Sequence, residues 1–272
     1  MPPSSPPVAE EGDSTKPGRH MATRAATVGQ LEHIGAMAAA MIQPGQIVGL
    51  GSGRAAHAFV RMLGRRRAET KMSLTAVATS QATEELAHAV GIPLTPLETL
   101  AYVDIAVDGA DEVDPRLNLL KGGGGALLRE KVIESLARRL VIVVGQEKLV
   151  DRLGTYFPVF VEVVGFAMPV VTRTLTGWGA TVTPRRQADG ALYKTDNGNP
   201  LLHVRFEPRS QPDQPGLDDL PALERRLHSL PGVIETGLFL DFADEVLVAN
   251  FDGTVEHRRR EAGRKTTEAP RV

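Results

Sequence analysis

The 272-residue sequence contains no cysteine, which excludes disulfide bonds, thiolate metal sites and a cysteine nucleophile. It also lacks a long apolar run, since a stretch such as 140–144 is far too short to cross a bilayer. The net charge of −2 gives no reason to expect bulk attraction to nucleic acid or to an acidic membrane surface. What is present is 42% hydrophobic residues, enough to build one large domain or two modest ones.

The composition of both chain ends predicts disordered tails. Residues 1–22 contain five prolines among Ser, Glu and Lys and have no apolar signal core, so we expect a disordered tail and a cytoplasmic protein. Residues 256–272 hold a short basic run. Contact with nucleic acid is one interpretation of that run, but it has no interleaved aromatics, so we expect a solvated tail and no nucleic-acid partner.

Between the tails, short apolar strands alternate with helices. Strands are predicted at 46–50, 74–78, 103–107, 117–120 and 141–144. Helices are predicted at 55–63, 83–90 and 127–140, the last from leucine and valine side chains at i, i+4 spacing. Nearly all-apolar strands that alternate with helices indicate a parallel sheet covered on both faces, in an α/β fold.

After Gly154 the pattern changes to mixed α+β. Strands are predicted at 159–164 and 181–183, helices at 170–175 and 220–230, a loop at 207–219, and final apolar runs at 233–240 and 245–249. This change predicts a second, smaller domain, and the last strand is a candidate to return to the first sheet.

Three loops that follow predicted strands carry the residues of chemical interest. Parallel sheets bind ligands at the carboxyl ends of their strands, so these loops are expected to meet in one crevice. The first, Gly49 to Arg54 (GLGSGR), has small residues that let backbone N–H groups approach an anion at a helix N-terminus. It fits neither the full dinucleotide fingerprint nor the Walker loop, and a simple tight turn is the alternative interpretation.

The second loop, Asp108 to Asp114 (DGADEVD), places four carboxylates within seven residues. They could be metal ligands, acid–base groups or a capped turn. An EF-hand is excluded because its twelfth position would be Leu119, while a Mg²⁺ site stays open.

The third segment, Lys121 to Lys131 (KGGGGALLREK), has four consecutive glycines that are costly to order. They indicate backbone lying close to a ligand. Glu130 follows in the first turns of a helix, where the helix dipole alone would explain a lone carboxylate. Beside the glycines, a lysine and two aspartates, we favour a general base, in a site for proton abstraction next to a carbonyl.

These motifs carry a resemblance to a known family. VDGADEVD (107–114) and LKGGGGALLREK (120–131) resemble type A ribose-5-phosphate isomerase. Supporting matches are Thr79-Ser80, EKLV (147–150) with Leu153-Gly154, TDNGN (195–199), and PGV (231–233) with GLF (237–239). They keep the family's order and cover roughly residues 34–255.

The resemblance implies a Rossmann-like parallel-sheet domain, over residues 23–154 plus 239–255, and a smaller ferredoxin-like lid domain over residues 155–238. It implies a homodimer or homotetramer that interconverts ribose 5-phosphate and ribulose 5-phosphate, through an enediol and with no metal or cofactor.

Residue roles follow from the same resemblance. Glu130 would be the base, Asp108 would assist ring opening and hydroxyl proton transfer, and Asp111 would help to hold the sugar and Lys121. Lys121 with the glycine loop would stabilise the enediolate, and Lys148 would contact the phosphate. The remaining substrate-binding candidates belong to the two glycine-rich loops: Gly51, Ser52, Gly53, Arg54, Ala55, Gly122, Gly123 and Gly124.

The sequence departs from the family at the phosphate end. The family's first loop continues Gly-Ser-Thr, whereas this chain has Gly53-Arg54-Ala55, and the family's N-terminal phosphate-binding lysine aligns near Leu31. Arg54 could replace the lost donors, since a guanidinium suits phosphate oxygens, or the phosphate could bind elsewhere. Two alternative functions therefore remain beside ribose 5-phosphate isomerisation. One is a related isomerase that acts on a different sugar phosphate, and the other is a non-catalytic sugar-phosphate sensor.

Overall fold

The computed structural model describes residues 25–206 and 216–260. The predicted tail 1–22 and most of the loop 207–219 lie outside the described residues, as do residues 261–272. The helices are α1 Val28–Met41, α2 Gly53–Thr70, α3 Gln81–Ala89, α4 Leu127–Ser135, α5 Met168–Gly177 and α6 Leu220–His228. The strands are β1 Ile47–Leu50, β2 Thr75–Ala78, β3 Ile105–Asp108, β4 Glu112–Val113, β5 Leu119–Leu120, β6 Leu140–Gly145, β7 Val159–Val163, β8 Ala180–Pro184, β9 Leu201–Phe206, β10 Val233–Thr236, β11 Leu238–Phe239, β12 Glu245–Ala249 and β13 Val255–Arg259.

The main sheet has six strands in the order β13-β12-β6-β3-β1-β2. Five of them are parallel, and β13 pairs antiparallel with β12 at the edge. The central strand β6 is buried along its whole length, which explains its continuous apolar sequence. Helices α1 and α2 cover one face, and the other face packs on α4 and the smaller sheet. The predicted α/β fold is confirmed, as is the return of the last predicted strand, β12.

The smaller sheet is antiparallel, in the order β10-β7-β9-β8. Its elements follow one another along the chain as β7-α5-β8-β9-α6-β10, which is the ferredoxin-like βαββαβ arrangement. The predicted apolar run 233–240 is divided between two sheets: β10 joins the smaller sheet, while β11 pairs with β5 in a short three-stranded sheet.

Two predictions of local structure need correction. Helix α4 ends at Ser135 rather than at 140, because Ala137 forms a parallel bridge with Val103 and Leu140 already begins β6. The segment from Glu256 is not a tail at its start, because it lies in β13, where Arg259 pairs with Glu245 of β12. The basic residue Arg260 is likewise held, by Asp241 and by the backbone oxygen of Ala243.

Helix α1 is an element for which the sequence analysis made no prediction. Thr27 and Gln30 form a capping box at its N-terminus.

Among the helices of the described residues, none is both long enough and apolar enough to cross a membrane.

Candidate active site

A cavity of about 230 Å³ lies at the carboxyl ends of the parallel strands. Loops after β1, β3 and β6 line it together with the glycine segment before α4, as the topology predicts. Ten of the predicted site residues line this cavity: Ser52, Gly53, Arg54, Ala55, Asp111, Lys121, Gly122, Gly124, Glu130 and Lys148. The other three are not among its lining residues: Asp108 and Gly123 form hydrogen bonds with the lining residues Ser52 and Asp111, and Gly51 packs against Asp108.

Asp108 lies directly behind the cavity wall at the end of β3. Its Oδ1 accepts hydrogen bonds from the backbone N–H of Ser52 at 2.9 Å and of Gly109 at 2.6 Å. Gly51 makes this approach possible, since a Cβ at that position would overlap the Asp108 carboxyl group. The first and second loops of the sequence analysis are therefore joined through one buried carboxylate.

Lys121 is the cation at the centre of a buried cluster. Its Nζ lies 2.7 Å from Asp108 Oδ2 and donates to Glu134 Oε1 at 2.8 Å and to the backbone oxygen of Gly109 at 3.0 Å. The oxygen of Glu130 is more distant, at 3.7 Å. Burial lowers the pKa of Lys121, but the carboxylates around it outweigh burial and hold that pKa above its usual range. Lys121 is therefore a fixed positive charge.

Glu130 extends from the first turn of α4 into the cavity. Burial raises the pKa of Glu130 to about 8, against the opposing charge of Lys121, with Asp108 and Asp111 adding to the rise. A carboxylate with a pKa near the working pH is a competent general base, because it is both partly ionised and strongly basic.

Asp111 connects the second loop to the glycine loop. Its Oδ2 accepts a hydrogen bond from the backbone N–H of Gly123 at 2.7 Å. Burial raises the pKa of Asp111, and the Gly123 hydrogen bond opposes the shift. Gly122 has a φ of +122°, and a Cβ there would collide with Phe160, so only glycine fits this position.

The smaller sheet contributes two residues that sequence reasoning missed. Arg185 donates a hydrogen bond to the backbone oxygen of Gly123 at 3.0 Å, and Tyr193 Oη donates to that of Gly124 at 3.4 Å. The Arg185 guanidinium also stacks on the Tyr193 ring at 3.9 Å. This pair covers the outer side of the glycine loop. No local motif marks either residue, because their position depends on how two sheets dock.

The wall of the same cavity carries the residues predicted to bind phosphate. Arg54 lies in the first turn of α2 and donates to the backbone oxygen of Ala26 at 3.3 Å, and Lys148 lines the same cavity. The positive end of the α2 dipole points to this region, which suits an anion. Leu31 is also in the wall.

The hydroxyl group of Ser52 is engaged within the protein. It lies 2.7 Å from both Thr79 Oγ1 and Ser80 Oγ, and 3.2 Å from Thr83 Oγ1. These bonds tie the first loop to the start of α3. The Thr79-Ser80 pair, a supporting motif in the sequence, thus acts on the shape of the cavity wall.

Glu134 is the second feature that sequence reasoning missed. It lies one turn after Glu130 on α4, is completely buried, and contacts Lys121. The sequence signal was its i+4 spacing from Glu130, which places both side chains on one face of α4.

The fold and the site define a class of protein: an α/β protein whose strand ends enclose one cavity, lined by two cationic side chains and by members of a buried cluster of carboxyl groups around a lysine. A sequence profile of the family "Ribose 5-phosphate isomerase A (phosphoriboisomerase A)" matches residues 75–253. Ribose-5-phosphate isomerase A of Thermomicrobium roseum is 45% identical over 223 residues, covering 82% of this chain and 90% of the relative. That of Chloroflexus aurantiacus is 42% identical with the same coverage.

Solved structures agree. A D-ribose-5-phosphate isomerase in complex with phospho-erythronic acid is 36% identical, with a TM-score of 0.79 over 86% of this chain and all of the other. Ribose 5-phosphate isomerase A of Methanocaldococcus jannaschii is 34% identical, with a TM-score of 0.78 and the same coverage. This chain belongs to the ribose 5-phosphate isomerase A family.

Proposed function

We propose that this chain is an aldose–ketose isomerase that interconverts ribose 5-phosphate and ribulose 5-phosphate. The observation that carries the proposal is Glu130, a buried carboxylate with a pKa near 8, lining the same cavity as a glycine loop and two cations, Arg54 and Lys148. The family membership supports the same substrate, and the phosphorylated sugar acid bound to a relative supports a sugar phosphate in this cavity.

In the proposed reaction, Glu130 removes the proton from C2 of the open-chain aldose. The electron pair forms the C1–C2 double bond of an enediolate, whose negative charge rests on the C1 oxygen. Glu130 then returns the proton to C1, and the proton of the C2 hydroxyl passes to the C1 oxygen, so that a ketone forms at C2 and a hydroxyl group at C1. Lys121 and the backbone N–H groups of Gly122 and Gly124 stabilise the enediolate. Asp108 assists ring opening and moves hydroxyl protons, and Asp111 orients the sugar.

The phosphate group is assigned to the part of the cavity wall that carries Arg54 and Lys148. Arg54 and Lys148 supply charge there, and backbone N–H groups of the loop through Ser52, Gly53 and Ala55 supply donors at the start of α2. The domain that contains the smaller sheet, residues 155–238, is assigned the role of a lid. Arg185 and Tyr193, which lie between its strands β8 and β9, reach the glycine loop.

A second candidate is a related isomerase with a shifted sugar phosphate. It is favoured by one observation: the cavity wall carries Leu31 at one side and Arg54-Ala55 at another, so the phosphate end has fewer hydroxyl donors and a larger cation than the family pattern. A cationic guanidinium can hold a phosphate at a different depth than hydroxyl groups do.

A coupled assay on the purified chain tests these candidates together. Ribose 5-phosphate is compared with other aldose phosphates, each at several concentrations, and kcat/KM is the measured quantity. The highest kcat/KM for ribose 5-phosphate supports the main proposal, and a higher value for another sugar supports the second. Binding of ribose 5-phosphate without turnover would identify a sensor instead.

The homodimer or homotetramer and the cytoplasmic location stay predictions. Light scattering of the purified protein tests the oligomeric state.

A further inference from the structure

Glu134 is buried next to the proposed reaction site but does not line the cavity. It is 0% exposed, whereas Glu130 is 6% exposed and reaches the cavity wall. Its Oε1 accepts a hydrogen bond from Lys121 Nζ, and its Oε2 has no hydrogen-bond partner among residues 25–206 and 216–260. A carboxyl group in such a place is costly to bury unless it has a partner or a proton.

The charge balance of the cluster indicates that Glu134 is neutral. Three carboxyl groups, Asp108, Glu130 and Glu134, surround one ammonium group, so full ionisation would leave a buried net charge of −2. Burial raises the pKa of Glu134 well above its usual range against the charge of Lys121, and the charges of Asp108 and Glu130 add to the rise. Glu134 has no exposed surface and does not line the cavity, so we assign a proton to it.

A neutral Glu134 still occupies one donor of Lys121. An ammonium group has three N–H donors. Two of them donate to Gly109 O and Glu134 Oε1, and the ammonium forms a close ion pair with Asp108, whose Oδ2 is 2.7 Å away. Glu130, 3.7 Å away, is left without a hydrogen bond from Lys121. If the Glu134 oxygen were absent, the released donor could turn toward Glu130. A shorter contact with a cation would lower the pKa of Glu130 and weaken it as a base.

We propose that Glu134 is a positioning residue that holds the third donor of Lys121 and so keeps Lys121 from closing on Glu130. The inference rests on the proposed isomerase reaction. It gives Glu134 no contact with substrate, because Glu134 does not line the cavity and its side chain faces Lys121 and Asp108, with a side-chain hydrogen bond to Asp108 that also raises its pKa. The ionisable groups that face it are Lys121 after β5, Asp108 at the end of β3 and Glu130 on its own helix, and Asp111 acts in turn on Glu130.

Two variants separate this role from a merely structural one. Glu134→Gln keeps a neutral oxygen that accepts from Lys121, so its kcat and the acid limb of its kcat/KM profile should match the wild type. Glu134→Met fills a similar volume but removes the acceptor. In Glu134→Met we expect the acid limb to move about one to three pH units lower, the usual effect of a close opposite charge. Its plateau kcat, measured above the acid limb, should fall because the base is weaker, with KM nearly unchanged because residue 134 is outside the cavity wall.

The titration of Glu130 is also measured without turnover, by NMR of 13C-labelled glutamate carboxyl groups, with Glu130→Gln used to assign the signal. The pKa of Glu130 should fall in Glu134→Met and stay in place in Glu134→Gln. A matched control is Glu162→Gln, which alters a buried carboxylate of the smaller sheet bound to Thr195 and Asn199. It should lower stability and leave the Glu130 titration unchanged.

The outcomes are distinct. A wild type inactive on every sugar phosphate contradicts the proposed function, whatever the variants show. An active wild type with an unmoved acid limb and unmoved Glu130 titration in Glu134→Met overturns the positioning role. If Glu134→Met does not fold, Glu134→Gln decides: a Glu130 pKa lowered by the amide overturns the proposal, and an unchanged one supports it.

Discussion

Two lysines lie close together in this molecule, and they are held in similar ways. Lys121 contacts Asp108, Glu134 and Glu130, while Lys131 contacts Glu235 at 2.6 Å and Glu224 at 3.1 Å. Both ammonium groups approach the ring of Phe239, at 5.3 and 4.7 Å from its centre. One lysine belongs to the cavity, and the other ties α4 to α6 and β10 of the smaller sheet.

The extent of burial distinguishes the two clusters. For the carboxyl groups around Lys121, the effect of burial exceeds that of the lysine charge, so the pKa values of Glu130 and Glu134 are raised. Around Lys131 the carboxylates are partly exposed: burial raises the pKa of Glu235, but hydrogen bonds from His228 and the charge of Lys131 outweigh it and the net shift is downward. The same carboxylates raise the pKa of His228 to about 9. Similar residue types thus give an acid–base site in one place and ordinary ion pairs in the other.

The largest expected effect tests whether the two clusters differ in chemistry. Glu130→Gln should lower kcat by about 10²–10⁴, the usual contribution of a positioned base, with little change in ligand affinity. The matched variant Glu235→Gln, in the Lys131 cluster, should keep kcat close to wild type and lower the unfolding midpoint. Steady-state kinetics and urea denaturation of both variants measure this. Near-normal turnover of Glu130→Gln would remove Glu130 from the mechanism.

The second largest effect is expected on phosphate binding by Arg54, a cation that is not enclosed by carboxylates. If Arg54 binds the phosphate, its charge-assisted hydrogen bonds are worth about 1.5–3 kcal/mol, or roughly a ten- to 150-fold change in binding. Arg54→Ala should then raise KM by about that factor, with a smaller change in kcat because the phosphate does not react. Inhibition by inorganic phosphate should weaken in parallel.

Arg65→Ala, at an exposed position of the same helix, is the control for Arg54 and should leave KM unchanged. An unchanged KM and unchanged phosphate inhibition in Arg54→Ala would place its side chain in solvent. In that case Lys148 would be the phosphate cation, and the reading with a shifted substrate would gain support.

Only part of the candidate site could be predicted from the amino-acid sequence. The meeting of Asp108, Lys121 and Glu130 could be predicted, because each follows or flanks a strand end of a parallel sheet. The burial of Glu134 could not, since it depends on how α4 packs against β3 and the smaller sheet. Likewise Arg185 and Tyr193 reach the glycine loop only through docking of that sheet.

Local elements were missed for other physical reasons. Helix α1 is apolar on nearly every face, so it lacks the 3.6-residue alternation by which a helix is recognised. Strand β13 is polar and basic because it lies at the sheet edge, where its backbone pairs with β12 and its side chains form ion pairs. Its sequence therefore has the composition of a tail.

A smaller effect is expected on stability from the second lysine. Lys131→Met leaves Glu224 and Glu235 close together without their shared cation. Because both carboxylates are partly exposed and His228 stays as a partner, we expect the free energy of unfolding to fall by about 1 kcal/mol, the upper end of the range for exposed ion pairs. Urea denaturation measures it, and kcat of the variant should stay close to wild type. A collapse of kcat at unchanged stability would show that the two clusters are coupled.

The smallest expected effect is that of metal chelation on activity. In the proposed reaction Lys121 supplies the positive charge at the enediolate, so exhaustive EDTA treatment should leave kcat unchanged. Within residues 25–206 and 216–260, one group has metal-ligand character, Glu224, His228 and Glu235, and the Lys131 ammonium already lies against it. Added Zn²⁺ should therefore raise the melting temperature of Lys131→Met and not that of the wild type, because only the variant frees the carboxylates. Loss of activity on chelation, restored by a divalent ion, would instead identify the loop from Asp108 to Asp114 as a metal site.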